Sequence, residues 1–300
     1  MSHLITLETD FKSDLELFDS YLKRLLKERY ENQFPFELSR SIIYNLSAPA
    51  KRIRPLLILQ TASLFSFPRE EILPLAAAVE FIHTYSLIHD DLPALDNDDL
   101  RRGQPTCHKV FGEGMAILTG DALFAEAYFL IASRLRVKDS LLREVVKELS
   151  EATGAYGMVG GQVVDILSEG KQISEETLNY IHFNKTARLF RFCLRAPAIL
   201  AEAKPSELEA VTAFGENFGL AFQIVDDVLD ETRSTEEIGK PARSDRQKKK
   251  PTYPLLFGLE RSRQKARELL ERARGRIRNQ FGSRAKPLEK IADYILERSN

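Results

Sequence analysis

Apolar positions recur at helical spacing along almost the whole chain. Leu15, Leu17, Phe18, Tyr21, Leu22 and Leu25 form the first amphipathic stripe. Further helices are predicted over 38–47, 53–66, 70–91, 114–135, 139–155, 175–201, 206–230, 254–278 and 286–298. Proline, glycine and charge collect between them, at Phe67-Pro68, Gly103 to Pro105, Val137 to Asp139, Glu169 to Lys171 and 231–251. Loops are expected there. No segment alternates as a strand would. Two stretches, 72–91 and 211–225, are apolar around most of their circumference, which places them centrally. With no linker and no fixed-period repeat, residues 1–300 read as one all-α domain.

Two aspartate clusters interrupt this pattern. The first runs Asp90-Asp91-Leu92-Pro93-Ala94-Leu95-Asp96-Asn97-Asp98-Asp99, the second Asp226-Asp227-Val228-Leu229-Asp230. Each follows an apolar stretch, and carboxylates so close together repel unless a cation compensates. A hard divalent ion with oxygen ligands serves, and Mg2+ is usual beside phosphates. Asp226 and Asp230 are four apart and share a helix face. Pro93 disfavours a helical Leu92, so the preceding helix ends near Asp91 and Asp96 returns from a turn. Basic residues flank both clusters: Arg101-Arg102 after the first, Lys240 and Lys248 to Lys250 after the second. Acids for a metal beside bases for phosphate point to chemistry on a diphosphate.

Composition narrows the field. Apolar residues make up 43% and charged residues 29%, as in ordinary soluble proteins. A net charge of -1 offers no field for nucleic acid. The two cysteines, Cys107 and Cys193, read as reduced thiols of a cytosolic protein. Met1 to Leu15 lacks the basic and apolar regions of a secretory signal. No uninterrupted apolar run approaches the roughly 20 residues of a membrane helix.

The chain resembles the trans-prenyltransferase (polyprenyl synthetase) family, closest to bacterial farnesyl diphosphate synthases. The markers are Lys51-Arg52-Ile53-Arg54-Pro55; His83 to Asp91; Asp96 to Gly103; Gly120-Asp121; Gly160-Gly161-Gln162; Lys185-Thr186; Phe222 to Asp227; and Gly239-Lys240. A lone aspartate motif is weak evidence, but two in order with the basic motifs correctly placed are specific. The resemblance implies the isoprenoid synthase fold, a large helical bundle around a central cavity. It implies that Asp90, Asp96 and Asp226 hold Mg2+, about three ions in all. An allylic diphosphate would be clamped by Arg101, Lys185 and Lys240, and isopentenyl diphosphate by Lys51, Arg54, His83 and Arg102. Thr186, Gln223 and the Lys185 carbonyl would stabilise the developing allylic cation. A cytoplasmic homodimer is likewise implied.

Pro93 and Ala94 are extra relative to the plain five-residue motif, as in bacterial farnesyl synthases and some geranylgeranyl synthases of the family. Chain length in the family is set upstream of Asp90. Tyr85 lies about 7.5 Å back along the helix axis. Its ring reads as a floor, with Ser86 beside it, which favours a C15 over a C20 product. Ala187, Pro49-Ala50, Arg243 and Lys249 replace glycines common in the family, without removing a ligand.

Plainer readings exist for several of these residues. Lys51, Arg52 and Arg54 could snorkel at the surface. His83 and His89 could be satisfied core histidines, and Gly160-Gly161 could serve close helix contact. The stretch Arg246 to Lys250 reads as a solvated loop or as a lid over bound diphosphates. Among functions, the same chemistry could continue to geranylgeranyl diphosphate. A terpene cyclase would not need the basic isopentenyl set. An inactive regulatory subunit would be expected to lack one acidic cluster or the basic clamp.

Overall fold

A computed structural model describes residues 7–232 and 250–298. The apolar stripes become helices: α1 (Leu7–Asp10), α2 (Lys12–Tyr30), α3 (Phe36–Leu46), α4 (Ile53–Leu64) and α5 (Arg69–Asp90). They continue with α6 (Cys107–Phe111), α7 (Glu113–Arg134), α8 (Asp139–Thr153), α9 (Met158–Ser168) and α10 (Glu175–Ile181). After a π-helical turn (His182–Ala187) come α11 (Arg188–Leu200), α12 (Pro205–Thr232), α13 (Tyr253–Phe257), α14 (Leu259–Phe281) and α15 (Lys286–Arg298). The all-α architecture is as expected.

The apolar-all-round stretches lie in the interior. Helix α5 buries Ile72 to Ile82 without a break. Helix α12 buries Phe214, Phe218 and Val225, and Phe190 of α11 packs edge-on against Phe218 at 5.2 Å. Each such ring contributes about 1.5–3 kcal/mol by leaving water. Beside this core lies a buried ion pair: Arg52 donates to Glu80 at 2.6 Å, and also to Asp19 and the Leu46 carbonyl.

Four local expectations are corrected. The 175–201 helix contains the π-helical turn, which inserts an extra residue into the backbone ladder. The 254–278 helix breaks at Gly258, whose φ of 81° ends α13 and opens α14. Helices α6 and α9 were not expected; α9 starts just after Gly157 and includes the Gly160-Gly161 pair. A two-residue hairpin pairs Leu100–Arg101 with Gln104–Pro105. Arg102 (φ 54°) and Gly103 (φ 75°) form its turn, the left-handed pair that a tight hairpin requires.

Charged residues interrupt the two most apolar long helices, Glu80 in α5 and Asp121 and Glu126 in α7. Helices α5 and α7 are long and apolar enough to cross a bilayer. In α5, 78% of the apolar window is buried inside the protein, so its hydrophobicity serves the core. In α7 only 39% is buried, and Ile117, Leu118 and Phe129 remain exposed. Val159, Val163, Ile166 and Leu167 of α9 are exposed as well. Cys107 and Cys193 are both buried and unpaired.

Candidate active site

Helix α5 delivers the first cluster. It ends at Asp90, and the chain doubles back at once: the Asp96 amide donates to the Asp90 carbonyl at 2.8 Å, and Asn97 adopts φ 52°. That tight return places Asp90 and Asp96 together at a cavity of about 350 Å3. Helix α9, the π-helical turn and α12 complete its lining, with Lys185, Thr186, Gln223 and Asp226.

Neither Asp90 nor Asp226 makes a side-chain hydrogen bond or ion pair with any described residue. Burial raises the Asp90 pKa and Asp96 adds to the rise, with Lys185 opposing. Among the described residues no three metal-ligating side chains gather into one preformed cluster. Asp227, beside Asp226, is spent on structure. It accepts from Gln223 Nε2 at 2.9 Å and from the Tyr253 amide at 3.0 Å, with His182 at 3.4 Å. Asp230 is buried and does not line the cavity, so the shared-face pairing with Asp226 does not carry into the site.

Lys185 sits on the π-helical turn and donates to Asp165 at 2.7 Å. Burial works against its charge, but Asp90 and Asp165 outweigh it and raise its pKa. The turn is gripped from two sides. A β-carbon on Gly161 would stand 2.4 Å from the Lys185 nitrogen, and one on Gly219 would stand 2.5 Å from the Ala187 α-carbon. Thr186 donates its hydroxyl to Gln223 Oε1 at 2.7 Å, which leaves the hydroxyl oxygen's lone pairs available.

The basic residues divide. Arg54 and His83 line the cavity; Arg102 stands off it, 3.4 Å from His83 Nε2. Arg54 lies over the Phe190 ring at 4.4 Å, its Nε buried without a hydrogen-bond partner among the described residues. Burial lowers the pKa of Arg54, and burial with Arg54 and Arg102 drives His83 well below the usual histidine range. Lys51 is exposed outside the cavity lining, near the Tyr294 ring. Arg101 lines the cavity while tied to Asp91 and Asp98. Tyr85 and Ser86 also line it. Lys240 lies outside the described residues.

Sequence reasoning missed Asp165, although it follows Gln162 by one helical turn and so shares its face. It missed His182, whose pKa burial pushes down to about 4. Lys250 reads in the sequence as part of a basic loop that could meet phosphate, yet it donates to Asp96.

The family model for polyprenyl synthetase matches residues 36–291. The chain belongs to the polyprenyl synthetase family. It is an enzyme, a short-chain trans-prenyltransferase. A geranylgeranyl diphosphate synthase of Cyanophora paradoxa is 45% identical over 262 residues, 87% of either chain. A farnesyl diphosphate synthase of Bacillus subtilis is 47% identical over 235 residues, 77% of this chain and 79% of the relative. The crystal structure of a Helicobacter pylori geranyltransferase, complexed with magnesium and isoprenyl diphosphate, superposes with a TM-score of 0.82 at 30% identity. That match covers 99% of this chain and 97% of the other.

Proposed function

We propose that this polyprenyl synthetase condenses isopentenyl diphosphate with dimethylallyl or geranyl diphosphate, and that the product is (2E,6E)-farnesyl diphosphate. One observation carries the reading. Asp90 and Asp226, from two helices, reach one cavity with side chains that no described residue hydrogen-bonds or salt-bridges, and Tyr85 stands in its wall.

The donor set fits Mg2+. That ion prefers oxygen, keeps several waters, and binds through one or two carboxylates plus substrate phosphates. Carboxylates on two walls, without a preformed protein cage, suit it, and the H. pylori relative carries magnesium. Asp90, Asp96 and Asp226 are the ligands in this reading. Bound there, the metal supplies the positive charge that lets the allylic C–O bond ionise.

The chain's own residues do the rest. Lys185, already held charged, takes the allylic diphosphate, helped by Arg101 once it leaves Asp91; Lys240 completes the clamp assigned from the sequence. Arg54 and His83, with Lys51 and Arg102 from outside the lining, take isopentenyl diphosphate. Arg54 suits this role because its buried guanidinium makes no salt bridge with a described carboxylate and its Nε has no hydrogen-bond partner among the described residues. The Thr186 oxygen, the Gln223 amide and the Lys185 carbonyl face the developing cation as fixed dipoles. The proton lost at the end goes to the departed diphosphate, so no side chain serves as base. Tyr85 limits chain growth, with the small Ser86 beside it. The exposed apolar faces of α7 and α9 support a homodimer, and the reduced cysteines a cytoplasmic enzyme.

A geranylgeranyl product is the second reading, favoured by the C. paradoxa relative. Incubation with Mg2+, isopentenyl diphosphate and geranyl diphosphate, followed by mass spectrometry, separates the two. A dominant C15 diphosphate supports the proposal. A C20 product keeps the reaction and overturns the chain length. No condensation by folded, Mg2+-loaded protein overturns the reaction.

A further inference from the structure

We infer that Phe124 is a specificity-determining positioning residue: it fixes product length by bracing the Tyr85 ring, without entering the cavity itself. The inference rests on the farnesyl reading above and adds a residue to it.

Tyr85 is five positions before Asp90, roughly 140° around the helix from it. Ser86, four positions before, is the residue directly beneath Asp90. Its hydroxyl is small and turned back onto the His83 carbonyl at 2.9 Å. Ser86 therefore leaves room for a growing chain, and the stop depends on where the flanking Tyr85 ring stands. An aromatic side chain has several staggered χ1 wells, so a ring beside a cavity needs a neighbour to keep it in one.

That neighbour is Phe124 on α7. Its ring meets Tyr85 edge-on, with centroids 5.1 Å apart at 83°. His89 meets Tyr85 on α5 itself at 5.6 Å. One turn along α7, Tyr128 packs against Phe124 at 5.2 Å. Tyr128 is anchored in turn: its hydroxyl lies 3.1 Å from Thr153 Oγ1. Thr153 spends its own proton on the Leu149 carbonyl, so Tyr128 is the donor. Thr153 and Leu149 are fully buried on α8. A continuous stack thus runs from the cavity wall through Tyr85, Phe124 and Tyr128 into the core. Tyr85 lines the cavity; Phe124 and Tyr128 do not.

The test uses the purified full chain with Mg2+, isopentenyl diphosphate and dimethylallyl diphosphate, with products resolved by mass spectrometry. Phe124→Ala is expected to raise the C20 to C15 ratio about tenfold while Tyr85 is still present. The first condensation, to geranyl diphosphate, should stay near the wild-type rate, which a merely structural lesion would not spare. Tyr128→Phe should shift the ratio the same way by less. Tyr85→Ala/Phe124→Ala should match Tyr85→Ala alone, since both act through one ring.

Should Phe124→Ala fail to fold, Phe124→Leu keeps most of the volume, loses the flat edge, and carries the same expectation. A folded Phe124 variant with the wild-type ratio overturns the inference, as does equal loss of both condensations. Wild type making C15 beside an unchanged variant overturns this inference alone. Wild type making C20 overturns the farnesyl reading and the inference with it.

Discussion

Lys250 donates its ammonium to Asp96 Oδ1 at 2.5 Å, joining residues 154 positions apart. Both side chains are mostly buried. Lys250 is followed by Pro251 and Thr252, whose hydroxyl accepts from Leu255 at the start of α13, while the Tyr253 amide donates to Asp227 on α12. The lysine is therefore carried by a segment fixed to α12, yet it reaches the turn after α5. A protein cation stands at a carboxylate proposed to hold metal. Lys250→Gln should tighten Mn2+ binding in the absence of diphosphate by about tenfold, the size of one charge-assisted hydrogen bond. The same variant should weaken inorganic diphosphate binding. Electron paramagnetic resonance titration reads the first effect; unchanged Mn2+ affinity would show that the ammonium does not compete.

Gly161 tests how closely Lys185 must be placed. An added β-carbon would sit 2.4 Å from the Lys185 nitrogen and 2.8 Å from its α-carbon, both backbone atoms that cannot rotate aside. The π-helical turn must move, and Lys185 and Thr186 move with it. Gly161→Ala should lower kcat/KM by about 100-fold, because misplacement of this order disrupts reacting geometry. Steady-state kinetics on a folded variant checks this. Near-normal turnover would mean that the turn tolerates displacement.

Arg52 and Glu80 concern stability. Their side chains retain 6% and 2% of their exposure, so neither charge can turn to water. Glu80→Ala leaves a buried guanidinium with only exposed Asp19 and one carbonyl, and should cost about 3–5 kcal/mol. Urea denaturation measures it. Replacing both partners with apolar residues of similar volume should recover most of the loss.

His83 predicts a pH dependence. Arg102 can only donate, so at 3.4 Å it faces a lone pair on His83 Nε2, and the ring is neutral. Burial, Arg54 and Arg102 keep its pKa well below 6.5 in the free enzyme. A bound diphosphate opposes those cations and raises that pKa. Binding therefore takes up a proton, and affinity should rise as pH falls through the raised pKa of the bound state. The ligand itself also titrates, so the measurement is the difference between wild type and His83→Gln, followed by calorimetry from pH 8 to pH 5. Parallel profiles would remove His83 from the isopentenyl site.

Much of the fold was legible because it is local. Helical spacing around Leu15 to Leu25 and the largely apolar circumference of α5 and α12 needed only periodicity. Pro93 announced the turn that returns Asp96 to Asp90, since a proline restricts the residue before it wherever it sits. The chemistry of the two aspartate clusters was legible for the same reason: like charges in an apolar setting call for a cation.

Partner choice was a different matter. Nothing near Lys250 in sequence indicates Asp96, and nothing near Tyr85 indicates Phe124; both pairings arise where distant helices cross. The 175–201 stretch reads as a plain helix, and it gains an extra residue where glycines of α9 and α12 press on its two faces. Asp226 and Asp227 are neighbours of one residue type. Only packing sends the first into the cavity and spends the second on Gln223 and the Tyr253 amide. The sequence by itself determined most of the helices, through short-range sterics, and chemistry on a diphosphate, through clustered charge; the reaction class came with the family motifs. The tertiary structure decided which carboxylate, cation and ring meet, because those contacts depend on how helices far apart in the chain are packed.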